Sequence, residues 1–151
     1  MNRSTILILL LLVGSRVGAW SFGDTVILEN CQKFGVPFTV AERLIQSESG
    51  WNVWAVNPRD PSRGPWQLLD SNLHEFAKEY NEGRPINPFD FVTSTRVALA
   101  YLAHLHAELH ESAYEWYGAV VAYKAGPANI ATAPLATKRI AWWVAHGDTE
   151  Q

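Results

Sequence analysis

One glutamate in this sequence is placed to do acid–base chemistry. Ala41, Leu44 and Ile45 recur at helical spacing, and Glu48 is the next member of the apolar stripe that they form. A carboxyl group on the inward face of a helix loses hydration, which raises its pKa toward the range of a general acid near neutral pH. An inward glutamate can equally be a buried hydrogen-bond acceptor, so the stripe alone leaves both interpretations open.

The residues that follow Glu48 favour a sugar-cleaving cleft. Trp51 and Trp54 come directly after it, and the Gly-Pro-Trp-Gln segment at 64–67 adds backbone freedom, another indole and an amide that donates and accepts hydrogen bonds. The chain holds 7 Trp in 151 residues. Indoles pack in cores but also stack on pyranose rings, so the Trp count does not separate these uses. A carboxyl group among indoles and amides is nevertheless the composition of a glycan-cleaving site.

Four short segments, taken in order, resemble the soluble lytic transglycosylases. This family belongs to the lysozyme-like superfamily, which also contains the goose-type lysozymes. The segments are Gln-Ser-Glu-Ser-Gly-Trp-Asn at 46–52, Gly-Pro-Trp-Gln at 64–67, Asn-Pro-Phe-Asp at 87–90 and Ala-Tyr-Lys-Ala-Gly-Pro at 122–127. They are similar, respectively, to the family's catalytic-glutamate segment, its Gly-Leu-Met-Gln motif, the segment before its long helix and its Ala-Tyr-Asn-Ala-Gly-Pro signature. Any one of them is weak evidence, but their order is fairly specific.

The resemblance implies roles for the matched residues. Glu48 matches the catalytic acid/base, and Tyr123 matches the tyrosine whose hydroxyl lies near it. Five residues are expected to bind the substrate: Gln67, Asn57, Trp66, Trp51 and Gly64. Asn57 occupies a position where many members of the family have Ser, and two other departures matter more. Trp66 replaces a Met-like residue, and Lys124 replaces an Asn, which puts a positive charge either near the cleft floor or on its solvated side.

The resemblance also implies a reaction that needs one carboxylate. Most glycosidases use two, about 5 Å apart when they retain configuration. The nearest second candidate is Asp60, whereas Asp70 is predicted to cap a helix. In the implied reaction Glu48 protonates the oxygen between N-acetylmuramic acid and N-acetylglucosamine, then accepts the proton of the muramoyl C6 hydroxyl, which closes a 1,6-anhydro ring. A hydrolytic muramidase and a non-catalytic peptidoglycan-binding or assembly protein remain alternatives.

Other classes of function receive little support from the sequence. His106 and His110 have the i, i+4 spacing of a metal pair, but no acidic residue follows in a known zinc-protease arrangement, so we expect no metal and no cofactor. The net charge of −3 argues against nucleic acid as a partner. We expect a monomer that binds peptidoglycan glycan strands, and an envelope-spanning machinery is a further partner that the sequence leaves open.

The elements that position these residues are predicted to be helices, because no period-2 strand pattern occurs. Their approximate ranges are 24–34, 40–49, 68–80, 93–110, 113–125 and 137–146. Ser21 with Asp24, and Thr39 with Glu42, are predicted capping boxes, and Gly residues follow several helices. The predicted fold class is therefore all-α, a single compact lysozyme-like helical domain with a long loop after its second helix.

The first residues predict export to the periplasm or cell envelope. Arg3 precedes the apolar run Ile6–Val13, and Val-Gly-Ala at 17–19 supplies small residues for a signal peptidase. We therefore expect a signal peptide at 1–19 and a catalytic domain at 20–151, with an uncleaved anchor as the alternative. The single cysteine, Cys31, cannot form an intrachain disulfide and is predicted to be a buried apolar residue.

Overall fold

The computed structural model describes residues 21–109 and 116–147 of the chain. The predicted signal peptide, His110 and the start of the predicted fifth helix lie outside these residues. The described part contains six α-helices and one small antiparallel hairpin. The helices are α1 (Phe22–Phe34), α2 (Phe38–Ser49), α3 (Leu73–Tyr80), α4 (Phe91–Glu108), α5 (Tyr117–Ala125) and α6 (Leu135–His146). None of these helices is long and apolar enough to cross a membrane.

Five of the helices enclose the core. Helix α1 packs on α2 and α4, α5 packs on α4 and α6, and α6 packs in turn on α2, while α3 lies against α4. The stripe residues Ala41, Leu44 and Ile45 are fully buried in this core. Full burial of a Leu or Ile side chain stabilises a fold by about 1.5–3 kcal/mol. The stripe therefore fixes the rotation of α2, and with it the place of the next stripe residue, Glu48.

The first predicted capping box is confirmed, and the second is wrong. The Ser21 hydroxyl accepts a hydrogen bond from the backbone N–H of Asp24, whose carboxylate accepts one from the backbone N–H of Ser21. Helix α2, however, begins at Phe38 after Pro37, which makes no side-chain cap. The fixed φ of Pro37, −61°, lets its carbonyl accept from the backbone N–H of Val40 and so start the helix before Thr39.

The predicted helix over 68–80 begins later than expected, because a hairpin occupies its first residues. Strand β1 (Ser62–Arg63) pairs with β2 (Leu68–Leu69), and a 3-10 turn at Asp70–Asn72 leads into α3. Strands of two residues are too short to show a period-2 pattern. Asp70 does not cap the helix: its carboxylate pairs with the Arg63 guanidinium at 2.9 Å and so braces the hairpin.

The predicted burial of Cys31 in the core is confirmed. The residue is 4% exposed on α1. Burial raises the pKa of its thiol to about 12, because the thiolate would lose its hydration. A thiol with so high a pKa is a poor nucleophile, so Cys31 serves as a small apolar residue.

Candidate active site

A cleft of about 440 Å³ opens between the end of α2, the loop and hairpin that follow it, and the end of α5. We call it the Glu48 cleft. The polar residues in its lining that bear on its chemistry are Glu48, Asn57, Asp60, Gln67, Tyr123 and Lys124. The cleft thus combines groups that the sequence places up to 76 positions apart. It is large enough for a sugar ring with its substituents.

Glu48 lies in the last turn of α2, and its side chain is only 13% exposed. Burial raises the pKa of its carboxyl group, because the ionised form loses hydration. The ammonium group of Lys124 lowers that pKa, whereas the nearby carboxylate of Asp60 raises it. Burial outweighs the cation, so the net direction is upward from the ordinary value. A carboxyl group with a raised pKa holds its proton to higher pH than an exposed one, which suits a general acid.

Lys124 lies within the cleft rather than on its solvated side. Its ammonium nitrogen is 2.6 Å from Glu48 Oε1, and it also donates to the Ser47 hydroxyl at 3.4 Å. The Lys124 side chain is 12% exposed, so both members of this ion pair are largely withdrawn from water. The contact between Lys124 and Glu48 was not predicted from the sequence. The one feature of the sequence that pointed to it is the Lys at 124, where the family pattern has Asn.

Tyr123 lines the same cleft from α5 and is held by the backbone of the hairpin turn. Its hydroxyl donates to the main-chain oxygen of Trp66 at 2.9 Å. Burial and the neighbouring Glu48 carboxylate both raise the pKa of the phenol, so it stays protonated. The sequence predicted that Tyr123 lies near Glu48, and both residues do line one cleft.

Gln67 and Asn57, two of the predicted substrate-binding residues, line the Glu48 cleft. The Gln67 amide nitrogen donates to the main-chain oxygen of Gly64 at 2.9 Å, and its amide oxygen accepts from the Ser62 hydroxyl at 3.0 Å. The Asn57 amide nitrogen donates to Asp60 Oδ2 at 2.8 Å. Both amides are therefore held in fixed orientations along the cleft wall.

Trp66 was expected to bind sugar through its indole, but the structure buries it completely. The indole N–H donates to the Thr95 hydroxyl at 2.9 Å, inside the core. A large apolar ring with one donor is best satisfied where a core hydroxyl faces it. Trp66 contributes to the cleft only indirectly, through the carbonyl oxygen that orients Tyr123.

Gly64 and Trp51, also predicted to bind substrate, do not line the Glu48 cleft. Gly64 is buried with φ +78°, and a Cβ at this position would lie 1.9 Å from the carbonyl oxygen of Pro88. Glycine is therefore required for the close approach of the hairpin to the segment before α4. Trp51 is half-buried and packs against the core.

Asp60 is the second carboxylate of the cleft lining. Its Oδ2 accepts from Asn57 and its Oδ1 from the backbone N–H of Ser62 at 3.0 Å, so the loop that carries it is hydrogen-bonded in place. After burial, which is the larger cause, the negative charge of Asp60 also raises the pKa of Glu48. The residue that the sequence offered as a second carboxylate thus shares a cleft with the first.

The histidine pair considered as a metal site is only partly within the described residues. His106 stacks on Trp116 with ring centroids 3.9 Å apart and an interplanar angle of 9°. Within 21–109 and 116–147, no group of three or more His, Cys, Asp or Glu side chains is arranged to hold a metal ion. The polar groups that line the Glu48 cleft are amides, hydroxyls, the Glu48–Lys124 ion pair and the Asp60 carboxylate, which can form hydrogen bonds with a hydroxylated ligand.

One family model and solved structures of two proteins resemble most of this chain. The family model described as "Transglycosylase SLT domain" matches residues 25–141. The structure resembles an inactive mutant of the lytic transglycosylase Slt from Pseudomonas aeruginosa, with TM-score 0.61 and 16% identity over 78% of this chain and 20% of that one. It also resembles the 70 kDa soluble lytic transglycosylase from Escherichia coli, with TM-score 0.62 and 18% identity over 81% and 20%. No curated protein matches this chain.

These likenesses confirm the predicted all-α, transglycosylase-like fold. At 16–18% identity they show the fold alone, and this chain spans 20% of each of the two solved chains. The activities of those longer proteins are therefore not assigned to this chain by the likeness of fold.

Proposed function

Because this chain belongs to the Transglycosylase SLT domain family, we propose that it is a peptidoglycan lytic transglycosylase. It cleaves the β-1,4 bond between N-acetylmuramic acid and N-acetylglucosamine and leaves a 1,6-anhydromuramoyl end. The observation that carries the proposal is Glu48, a carboxyl group 13% exposed that borders a cleft of about 440 Å³. No cofactor is needed, because one carboxyl group performs both proton transfers.

In the first step Glu48 acts as the general acid. Its carboxyl proton passes to the bridging oxygen as the bond between that oxygen and the muramoyl C1 breaks, and the N-acetylglucosamine chain leaves as an alcohol. The positive charge left at C1 is shared by the oxygen of the muramoyl 2-acetamido group. The burial that raises the pKa of Glu48 supports this role, because it favours the protonated form that the step requires.

In the second step the Glu48 carboxylate acts as the base. It accepts the proton of the muramoyl C6 hydroxyl as that oxygen bonds to C1, which restores the acid form of Glu48 and consumes no water. The phenol of Tyr123, held by the Trp66 carbonyl, is positioned to orient the acetamido group or Glu48. Gln67 and Asn57 supply amide contacts to sugar hydroxyl groups from the loop and hairpin that border the cleft.

Export to the periplasm or cell envelope completes the proposal, because peptidoglycan lies outside the inner membrane. The enzyme then works as a monomer on glycan strands, alone or within an envelope-spanning machinery. The apolar start of the sequence, Ile6–Val13, is what supports export.

A hydrolytic muramidase is the second candidate, and one observation favours it. Asp60 lines the Glu48 cleft together with Glu48, so a second carboxylate is present to activate water. In that reaction water takes the place of the C6 hydroxyl, and the product carries a reducing muramic acid. The two candidates therefore differ in product mass by one water.

Digestion of purified sacculi by the wild-type protein and two matched variants tests for activity. Glu48→Gln keeps the size of the side chain and an oxygen for Lys124, but it cannot donate and recover a proton. Glu75→Gln makes the same change at a glutamate that is 62% exposed on α3. We expect the wild type and Glu75→Gln to solubilise glycan and Glu48→Gln not to do so. Equal solubilisation by all three proteins, or by none, contradicts the proposal.

A further inference from the structure

The Glu48–Lys124 ion pair makes the two oxygens of the Glu48 carboxylate different, because only one of them contacts the ammonium group. The Lys124 ammonium lies 2.6 Å from Oε1. No residue of 21–109 or 116–147 donates a hydrogen bond to Oε2. The ion pair thus holds Oε1 and leaves Oε2 as the oxygen available to a ligand in the cleft.

Among the charged groups of the Glu48 cleft, Lys124 is the one that stabilises the ionised form of Glu48. It is the one cationic residue in the described lining of the Glu48 cleft. Asp60, from the loop before β1, opposes ionisation of Glu48, and the Tyr123 phenol on α5 is neutral and already donates to Trp66. A carboxylate this far withdrawn from water is stable in its charged form only with a cation beside it.

We propose that Lys124 is a positioning residue that pairs with Oε1, favours the ionised form of Glu48 and leaves Oε2 to deliver the proton to the ligand. This inference rests on the proposed function, in which Glu48 must be protonated before cleavage. Lys124 thereby sets the pH below which Glu48 holds the proton that the first step requires. The Asn at this position in the family pattern would not have this effect, because an amide carries no charge.

The direction of the effect follows from the charges. Removal of the ammonium group removes an influence that lowers the pKa of Glu48, so that pKa rises. The general acid then stays protonated to higher pH, and the alkaline side of the activity profile moves upward. A neighbouring opposite charge typically changes a carboxyl pKa by about 1–3 units. We therefore expect the profile to move by about one pH unit or more.

The experiment compares wild type, Lys124→Asn and Lys124→Arg in two measurements. The first is a carbon NMR titration of the Glu48 carboxyl group, identified by its absence in Glu48→Gln. The second is the pH dependence of kcat/KM on sacculi, which reports the free enzyme. Lys78→Asn, at a lysine 57% exposed on α3, is the control for loss of a positive charge elsewhere.

We expect Lys124→Asn to raise the Glu48 pKa and to move the alkaline side of the kcat/KM profile upward by the same amount. Lys124→Arg retains a cation and should stay near wild type, as should Lys78→Asn. Titrations that coincide for wild type and Lys124→Asn overturn the inference. If Lys124→Asn does not fold, Lys124→Met replaces it, since it keeps the aliphatic stem without the charge.

Failure of the proposed function gives a different result. In that case the Glu48 pKa rises in Lys124→Asn, but neither protein cleaves glycan at any pH. That outcome contradicts the transglycosylase proposal while it supports the effect of Lys124 on the ionisation of Glu48.

Discussion

The hydroxyl of Tyr123 on α5 donates a 2.9 Å hydrogen bond to the main-chain oxygen of Trp66, in the turn between β1 and β2. This bond joins the hairpin side of the Glu48 cleft to its α5 side. It also places the phenol beside Glu48 without a direct hydrogen bond between their side chains among the described residues. The position of the Tyr123 phenol thus depends on a backbone atom of a residue whose own side chain is in the core.

Tyr123→Phe should lower the rate of glycan cleavage by roughly 10- to 1000-fold, the scale of the loss of one positioned polar group. The same change leaves the Trp66 carbonyl without its partner, which costs about 1 kcal/mol of the free energy of unfolding. Initial rates on sacculi and urea denaturation measure the two effects. Tyr80→Phe, which changes a tyrosine outside the cleft lining, should keep nearly full activity. Full activity of Tyr123→Phe would contradict a role for the phenol.

Gly64→Ala should destabilise the protein strongly, because the new methyl group would meet the Pro88 carbonyl at 1.9 Å. Gly83→Ala is the matched control. Its φ, +76°, is close to the +78° of Gly64, but nothing lies within 4 Å of its added Cβ. The control should lose only the cost of a left-handed backbone, about 1–2 kcal/mol. Equal losses for the two variants in urea denaturation would show that the close approach at Pro88 does not matter.

How far the sequence predicts this molecule depends on the range of the interactions. The place of Glu48 follows from helical period, and the Ser21 cap follows from a local pattern, so both are visible in neighbouring residues. The burial of Trp66 is not visible in neighbouring residues, because its hydrogen-bond partner Thr95 lies 29 positions away. The Glu48–Lys124 contact spans 76 positions, and only assembly of α2 and α5 around one core brings the two side chains together.

Asp60→Asn should leave cleavage active within a few-fold, because Asp60 has no proton to transfer in the anhydro-forming reaction. It should also move the alkaline side of the pH profile slightly downward. The Asp60 carboxylate raises the pKa of Glu48, so its neutralisation lowers that pKa and Glu48 loses its proton at lower pH. The pH dependence of kcat/KM measures both effects. An inactive Asp60→Asn protein that remains folded would indicate a two-carboxylate hydrolase.

The mass of the muropeptides released from purified sacculi distinguishes anhydro-forming cleavage from hydrolysis. We expect products that end in 1,6-anhydro-N-acetylmuramic acid, lighter by one water than hydrolysis products, from the wild type and from Asp60→Asn. We expect no released product from Glu48→Gln, with a free energy of unfolding close to that of the wild type. Reducing muramic acid ends from the wild type would contradict the transglycosylase proposal, as would anhydro products from Glu48→Gln at more than a few per cent of the wild-type rate.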